Sequence, residues 1–502
     1  MAGTRRRLAA TATALATAAG LGSVAAADPG HVTPPAPAAQ ATITVDVSHP
    51  SGALPADFVG LSFEMRELGV GNFDAHAGNL VALFKNLGHS NVRIAGNTLD
   101  RDTLWVPAGQ SPPSPLPSWV QDVVTPTDIA RLGHFLTTSG WKAEVGINVG
   151  HYDPALAADE ADVLSTTLGS RLGGAECGNE PNSWLGKGLR TAPFTYPQYK
   201  LDWEACATAA GKTRLAGPDT SSPNSTGPWV ASFAQDEQSR VKLLTIHSYS
   251  IGSTGTVTDL LSAKTDASEL RSVSTELAAA KAVKLPIRID ETNSAAGGGI
   301  AGVSDTYASA LWSMDYSLLM AQDGFGGLNF HGGLGVCDAP LFNGKFQIYT
   351  PICAANAADE SAKVYQAMPE YYGLYMASQM GSGTFLPVTL SDASGATPNI
   401  TAYAVRGSDG KTRIAVIEKD ATSAASVPLS IKVGKGNHTA EVVHLTGSSL
   451  GSAQGVAVQG ATVNQAGKLA QKPGNVLHVH DGTLSFSMAS GSAVIITLGG
   501  TS

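Results

Sequence analysis

Eight short runs of β-branched and apolar residues, beginning near Phe58, Asn91, Ala143, Gly174, Arg214, Lys242, Pro286 and Gly327, set the pattern of this chain. Longer stretches of helical character follow several of them, among them Thr125 to Ser139, Tyr196 to Ala210, Asp266 to Ala282 and Thr306 to Ala321. Such alternation is what a parallel sheet wrapped by helices produces. Eight repeats of it predict a closed (β/α)8 barrel. The runs Arg214-Leu-Ala-Gly-Pro-Asp219 and Leu243-Leu-Thr-Ile-His-Ser-Tyr249 start apolar and end polar, so their polar ends should gather at one rim, where barrel enzymes keep their chemistry.

Beyond about Leu386 the helical period gives way to short alternating runs, from Ile400 to Val405 through Ala493 to Leu498, broken by turns such as Gly407-Ser-Asp-Gly410. These predict a β-sandwich. The run Ile43-Thr-Val-Asp-Val-Ser alternates as a strand but precedes the barrel pattern, and is expected to pair with the C-terminal module. The domain plan is therefore a signal peptide over 1–27, a Pro/Ala-rich linker over 28–42, a strand over 43–50, a barrel over 51–385 and a β-sandwich over 386–502. Arg5-Arg6-Arg7, an Ala/Leu-rich run and Val24-Ala25-Ala26-Ala27 before Asp28 have the layout of a secretory leader, so export with cleavage after Ala27 is expected.

A formal net charge of −9 over 502 residues offers no broad basic field, which argues against a nucleic-acid partner. Outside the leader no run of ~18 apolar residues suggests a membrane span. Four cysteines in an exported chain allow two disulfides with three pairings. Cys177 with Cys206 and Cys337 with Cys353 is the pairing expected, with buried free thiols as the alternative. His478 and His480 share a strand face, but no third ligand follows at a metal-binding spacing. A solvated face is the simpler reading.

Two carboxylates carry the functional reading. Glu180 lies in Gly178-Asn-Glu-Pro181, and Glu291 ends the run Pro286-Ile-Arg-Ile-Asp-Glu291 before the glycines Gly297 to Gly299. Proline pushes its predecessor toward an extended conformation and gives no ladder hydrogen bond, so Glu180 is expected where a strand opens into a loop. The separation, 291 − 180 = 111 residues, is close to three strand-plus-helix units of roughly 30 residues or more. That would place Glu180 on strand four and Glu291 on strand seven. A carboxyl pair at one rim suits glycoside cleavage: Glu180 as acid/base and Glu291 as nucleophile. Such a division requires the pKa of Glu180 to be raised and Glu291 to stay ionised.

Gly178-Asn-Glu-Pro181, Arg288-Ile-Asp-Glu-Thr-Asn-Ser294 with Gly297-Gly-Gly299, and Asn329-Phe-His-Gly-Gly333 together resemble glycoside hydrolase family 79, which includes β-glucuronidases and heparanases. The resemblance implies a barrel with its acid on strand four and nucleophile on strand seven, a retaining mechanism and no cofactor. It further implies substrate contacts from Glu64, Asn97, Asn179, His247, Tyr249, Tyr349 and the amides of Gly297 and Gly298, with Arg93 keeping the nucleophile ionised. Asn179 would bind the sugar 2-hydroxyl; the glycines and Tyr349 would bind a uronate carboxylate. Ala296, Ser248 and Ala95 depart from the family pattern, the first where heparanases carry a tyrosine. Trp184 and Trp105 are either sugar-stacking platforms or packing residues.

The expected function is a secreted retaining exo-β-glucuronidase acting on terminal glucuronic acid, 4-O-methylated or not. The alternatives are an endo-acting heparanase-like hydrolase, which would want a basic cleft, and an inactive secreted glycan-binding protein. Metal-dependent hydrolysis lacks a ligand spacing.

Overall fold

The computed structural model describes residues 41–221, 228–339, 347–392, 399–420 and 426–499. The expected signal peptide, and all of the expected linker except Ala41 and Thr42, lie outside these residues.

Eight parallel strands close a barrel in chain order: Val59–Glu64, Asn91–Ala95, Lys142–Ile147, Leu172–Cys177, Leu215–Thr220, Val241–Ile251, Ile287–Ala295 and Leu328–His331. The last pairs with the first, Leu328 opposite Val59 and His331 opposite Ser62. The helices outside begin where local chemistry fixes their first turn. Thr125 and Thr195 each form a reciprocal cap, with Asp128 and Gln198 respectively, and a proline stands in the first turn of each helix, Pro126 in Pro126–Ser139 and Pro197 in Tyr196–Ala209. These caps satisfy otherwise orphaned amides, and proline loses nothing there.

Tight apolar packing fills the space between barrel and helices, with Phe63, Phe73, Phe84 and Phe135 in edge-to-face contact and Trp141 tilted against Phe84. Inside the barrel the filling is polar, where branched apolar layers are usual. Arg288 Nε donates to Asn329 Oδ1 at 2.7 Å, Asn329 Nδ2 donates to Asn91 Oδ1 at 3.1 Å, and Asn91 Nδ2 donates to Glu144 Oε1 at 3.1 Å. Polar ends thus gather at the rim, but the polar column runs on below it.

The C-terminal domain is two packed sheets. One has the order 388–392, 41–45, 426–432, 483–489; the other runs 51–54, 383–386, 400–407, 412–418, 492–499, 439–446, 457–458, with 475–478 also on 439–446. Alternating inward residues, Ile43, Ile414, Val416, Leu429, Ile431, Leu484, Val494 and Ile496, make the core between them. Strand Ala41–Val45 pairs antiparallel with Val388–Asp392 and parallel with Ser426–Lys432. Tyr307 on helix Tyr307–Asp323 donates its hydroxyl to the Leu445 carbonyl, and Lys419 pairs with Asp315 on that helix and with Asp266. These contacts dock the domain on the barrel.

Two expected boundaries move. The strand predicted over 43–50 is Ala41–Val45, so the linker ends before residue 41, and Ser51–Leu54 pairs with Gly383–Leu386 of the second sheet instead of opening the barrel. The reason is pairing: the unpaired edge of Gly383–Leu386 offers a ladder that Ser51–Leu54 fills. The barrel proper starts at Val59.

Both disulfides form as expected. Cys177, at the end of the fourth barrel strand, is tied to Cys206 on the helix behind it, and Cys337 to Cys353. His478 and His480 are exposed, their rings 6.3 Å apart.

Candidate active site

Glu291 lies within the seventh barrel strand, and Glu180 three residues beyond the end of the fourth. One carboxylate oxygen of each, with a ring nitrogen of His247, lie within 4.8 Å of one another.

The turn that presents Glu180 is fixed from several sides. Gly178 has φ +85°, and a Cβ there would come within 2.4 Å of the Trp184 ring, so only glycine fits. Asp100 Oδ2 accepts from the Asn179 amide at 2.6 Å, and the Asp219 carbonyl accepts from the Glu180 amide at 2.9 Å. Glu180 itself is left-handed, with φ 49° and ψ 55°, where an extended conformation was expected. Proline removes the right-handed helical option, and the two tethers select the left-handed well over the extended one. The conformation costs on the order of 1 kcal/mol or more.

Glu291 owes its direction to an irregular register. Ile246 pairs with Ile289 but His247 pairs with Glu291, so Asp290 is the extra residue of a bulge. Consecutive residues of a regular strand point to opposite faces; here Asp290 and Glu291 both reach Arg93, at 2.9 Å each. Arg93 is fully buried and also donates to Glu176 Oε2 at 3.0 Å and Asn179 Oδ1 at 2.8 Å. Tyr249 donates its hydroxyl to Glu291 Oε1 at 2.8 Å, and His331 Nδ1 lies 3.9 Å from Oε2. Burial works to raise the Glu291 pKa, but His331, His247 and Arg93 overcome it and hold the group at about 2.

The acids around it behave differently. Burial first, then the neighbouring Asp219, lift Glu176 and Asp290 well above the usual carboxylate range despite Arg93. A shift of these two acids toward the neutral form leaves more of the guanidinium's charge to Glu291.

Glu180 does not have the raised pKa expected of a resting acid. Burial again pushes upward, but Lys187 Nζ at 2.6 Å from Oε2 and His247 Nδ1 at 3.2 Å from Oε1 outweigh it, and the group falls below the usual range. Both glutamates are therefore ionised in the ligand-free protein.

The remaining expected contacts fall as follows. Glu64, at the end of the first strand, accepts from the amide and hydroxyl of Thr98 at 2.8 and 3.0 Å and lies 3.6 Å from His331 Nε2. Asn97 is half-buried beside Thr98 on helix Gly96–Asp102. Asn179 spends its side-chain Oδ1 on Arg93, and its side-chain Nδ2 is buried with no partner among the described residues. Tyr349 places its hydroxyl 3.5 Å from that of Tyr249. The Gly297–Gly298 turn has positive φ at both residues and packs on the same segment, the Ile348 amide donating to the Gly298 carbonyl at 2.7 Å. Trp184 and Trp105 are packing residues: Trp184 is fully buried with Arg190 over its face, and the Trp105 indole donates to Asp159.

Sequence reasoning missed Lys187, Asp100, His331 and Asp290. His331 stood in the quoted Asn329-Phe-His-Gly-Gly333 motif, whereas no local pattern marks Lys187. Three groupings have ligand atoms close enough to hold a metal ion: Glu180 with His247 and Glu291, Asp219 with His247 and Asp290, and Glu144 with Glu176 and Asp290. Arg93 pairs with a member of each, which supplies the positive charge a metal would otherwise bring. No helix among the described residues is long and apolar enough to cross a membrane.

Residues 402–495 match the family model described as glycosyl hydrolase family 79 C-terminal beta domain. No curated protein sequence matches. Among solved structures, the chain is similar to a 4-O-α-L-rhamnosyl-β-D-glucuronidase from Fusarium oxysporum 12S, with 22% identity over 91% of this chain and 100% of that one and a TM-score of 0.72. It is also similar to a GH51 arabinofuranosidase from Xanthomonas axonopodis pv. citri, at 16% identity over 92% and 100% of the two chains and a TM-score of 0.66. An α-L-arabinofuranosidase from Thermotoga maritima follows at 13% identity over 91% and 99%, TM-score 0.66. At these identities the likenesses bear on the fold, a barrel with an appended β domain. The C-terminal residues 402–495 thus match the β domain of glycoside hydrolase family 79, behind a barrel whose rim brings two glutamates together.

Proposed function

We propose that this glycoside hydrolase is a secreted retaining exo-β-glucuronidase that releases terminal glucuronic acid, with or without a 4-O-methyl group, from glycans or small glucuronides. The observation that carries the reading is the short gap between Glu180 and Glu291, whose nearest oxygens are within 4.8 Å. Retaining pairs stand about 5 to 5.5 Å apart, whereas inverting pairs need roughly 6.5 Å or more to admit a water. The name of the Fusarium oxysporum structure, a β-D-glucuronidase in complex with a rhamnosyl-glucuronic acid disaccharide, supports the choice of sugar. Two pairs of cysteines joined as disulfides suit an oxidising compartment and an exported chain.

In this reading a carboxylate oxygen of Glu291 attacks the anomeric carbon while Glu180 gives a proton to the departing glycosidic oxygen. Water then adds to that carbon, yielding its proton to Glu180 as the bond to Glu291 breaks. Arg93 and Tyr249 keep Glu291 ionised and aimed. The free amide nitrogen of Asn179 has a donor to spare for the 2-hydroxyl, a contact that strengthens in the transition state. Glu64 and Asn97 take the other hydroxyls, and the Gly297–Gly298 turn with Tyr349 takes the uronate carboxylate.

The test is release of free uronate from an aryl β-glucuronide, run beside the corresponding glucoside, galactoside and xyloside. Glu291→Gln should lose several orders of magnitude in turnover while still binding ligand. Cleavage of only the neutral glycosides would sink the choice of sugar, and unchanged turnover in the variant would remove Glu291 from the mechanism.

A further inference from the structure

Each oxygen of Glu180 already has a nitrogen partner. His247 Nδ1 occupies Oε1 at 3.2 Å and Lys187 Nζ occupies Oε2 at 2.6 Å. Both contacts favour the carboxylate over the acid, so transfer of a proton to a glycosidic oxygen becomes easier when one of the two withdraws.

The two partners differ in what holds them. His247 belongs to a barrel strand, its side chain has no exposure, and its ring also lies 3.8 Å from Glu291 Oε1 and 3.9 Å from Asp290 Oδ1. Lys187 sits in the short loop after Glu180, at the end of an unbranched four-carbon stem and 17% exposed. Glycines flank it, and Gly188, at φ +74°, has open space where a Cβ would stand. The backbone amide of Lys187 donates to the Ser183 carbonyl at 3.0 Å. The ammonium can therefore swing while the loop stays in place.

Resting on the reading of Glu180 as acid/base, we propose that Lys187 is a positioning residue that holds Glu180 as a carboxylate in the resting enzyme and during attack by water, and yields its place to the glycosidic oxygen in the first step. Glu180 takes a proton from solvent when Lys187 leaves, passes it to the aglycone oxygen as the carbon–oxygen bond breaks, regains one from the attacking water, and releases that one to solvent as Lys187 returns. Other groups facing Glu180 are His247 and Tyr249 from the sixth strand, Glu291 from the seventh, Tyr349 beyond the eighth, and Asp219 at the end of the fifth, whose carbonyl accepts from the Glu180 amide. None of these is altered by a change at position 187, which makes the lysine separable from them.

The experiment compares Lys187→Met and Lys187→Arg with wild type on an aryl β-glucuronide of poor leaving ability, following kcat/KM against pH; Lys187→Gln replaces the methionine variant if that one does not fold. The alkaline limb of this profile reports the acid of the free enzyme. Removing a cation in contact with a carboxylate raises its pKa by about one unit or more. The limb of Lys187→Met should therefore move to higher pH by at least that amount, and Lys187→Arg should keep the wild-type limb. A limb unmoved in Lys187→Met, whatever happens to the rate, or moved equally in both variants, overturns the proposal and leaves the lysine a structural anchor. Wild-type protein inert toward every aryl glycoside would overturn the functional reading itself, an outcome visible before any variant is made.

Discussion

Arg93 Nη1 donates to Glu291 Oε2 at 2.9 Å from a position with no solvent exposure. The same guanidinium reaches Asn179, Glu176 and Asp290, so it joins the candidate nucleophile to the turn that carries Glu180. Arg93→Met would strand a buried carboxylate. Urea melts should show a loss of about 3 to 5 kcal/mol, with kcat/KM lower by roughly a hundredfold or more. Arg93→Lys should rescue little, because a single ammonium cannot fork toward four partners. Near-native stability in the methionine variant would contradict this.

Tyr249 gives Glu291 a hydrogen bond of 2.8 Å. A hydrogen bond to a charged group contributes about 1.5 to 3 kcal/mol, so Tyr249→Phe should lower kcat/KM by roughly ten- to a hundredfold. Because the hydroxyl favours the ionised form of a group held at about 2, its removal raises that pKa. The acid limb of the kcat/KM profile should shift to higher pH; a shift to lower pH would contradict the assignment.

Glu160, on the buried side of helix Pro154–Leu168, is pushed up to about 8 by burial first and by Asp159 second. A carboxyl whose pKa is raised by folding contributes stability in full below its unfolded value of 4.5 and loses it as pH rises toward 8. Glu160→Gln should therefore melt at a higher temperature than wild type at pH 8, with the difference closing near pH 4. Thermal melts across that range check it, and a difference independent of pH would refute it.

The Cys177–Cys206 disulfide closes a sequence separation of 29 residues and pins the end of the fourth strand. Replacing both cysteines with serine should cost about 3 to 4 kcal/mol. Since Cys177 is three residues from Glu180, activity should be lost at a lower temperature than wild type. Melts run beside activity after heating would show whether the two losses coincide.

How much of this was legible beforehand depended on the range of the interactions. The eight strand starts near Phe58 through Gly327 lie within two residues of the observed ones, because alternation and burial are local signals. The resemblance singled out Tyr249 and Arg93, whose place beside Glu291 is now a matter of distances. Lys187 was invisible, since nothing local distinguishes one loop lysine from another. The left-handed turn at Glu180 was equally hidden: proline excludes one conformation, but the choice between the others is made by Asp100 and Asp219, 79 residues away in one case. The lowered pKa of Glu180 follows from its contacts with Lys187 and His247. Bulging at Asp290 escaped notice because a register shift exists only between two strands.

Strand Ala41–Val45 fills a slot between Val388–Asp392 and Ser426–Lys432. The first segment of the described chain to leave the ribosome is thus a middle strand of the last domain to be made. That sheet has to wait for the whole barrel to emerge before its central member can be enclosed, and until then Ile43 and Val45 face water. A tag or fusion partner placed just ahead of Ala41 therefore sits beside the final docking event of folding, and a permuted chain that began at the barrel and ended with this strand would find its partners already assembled.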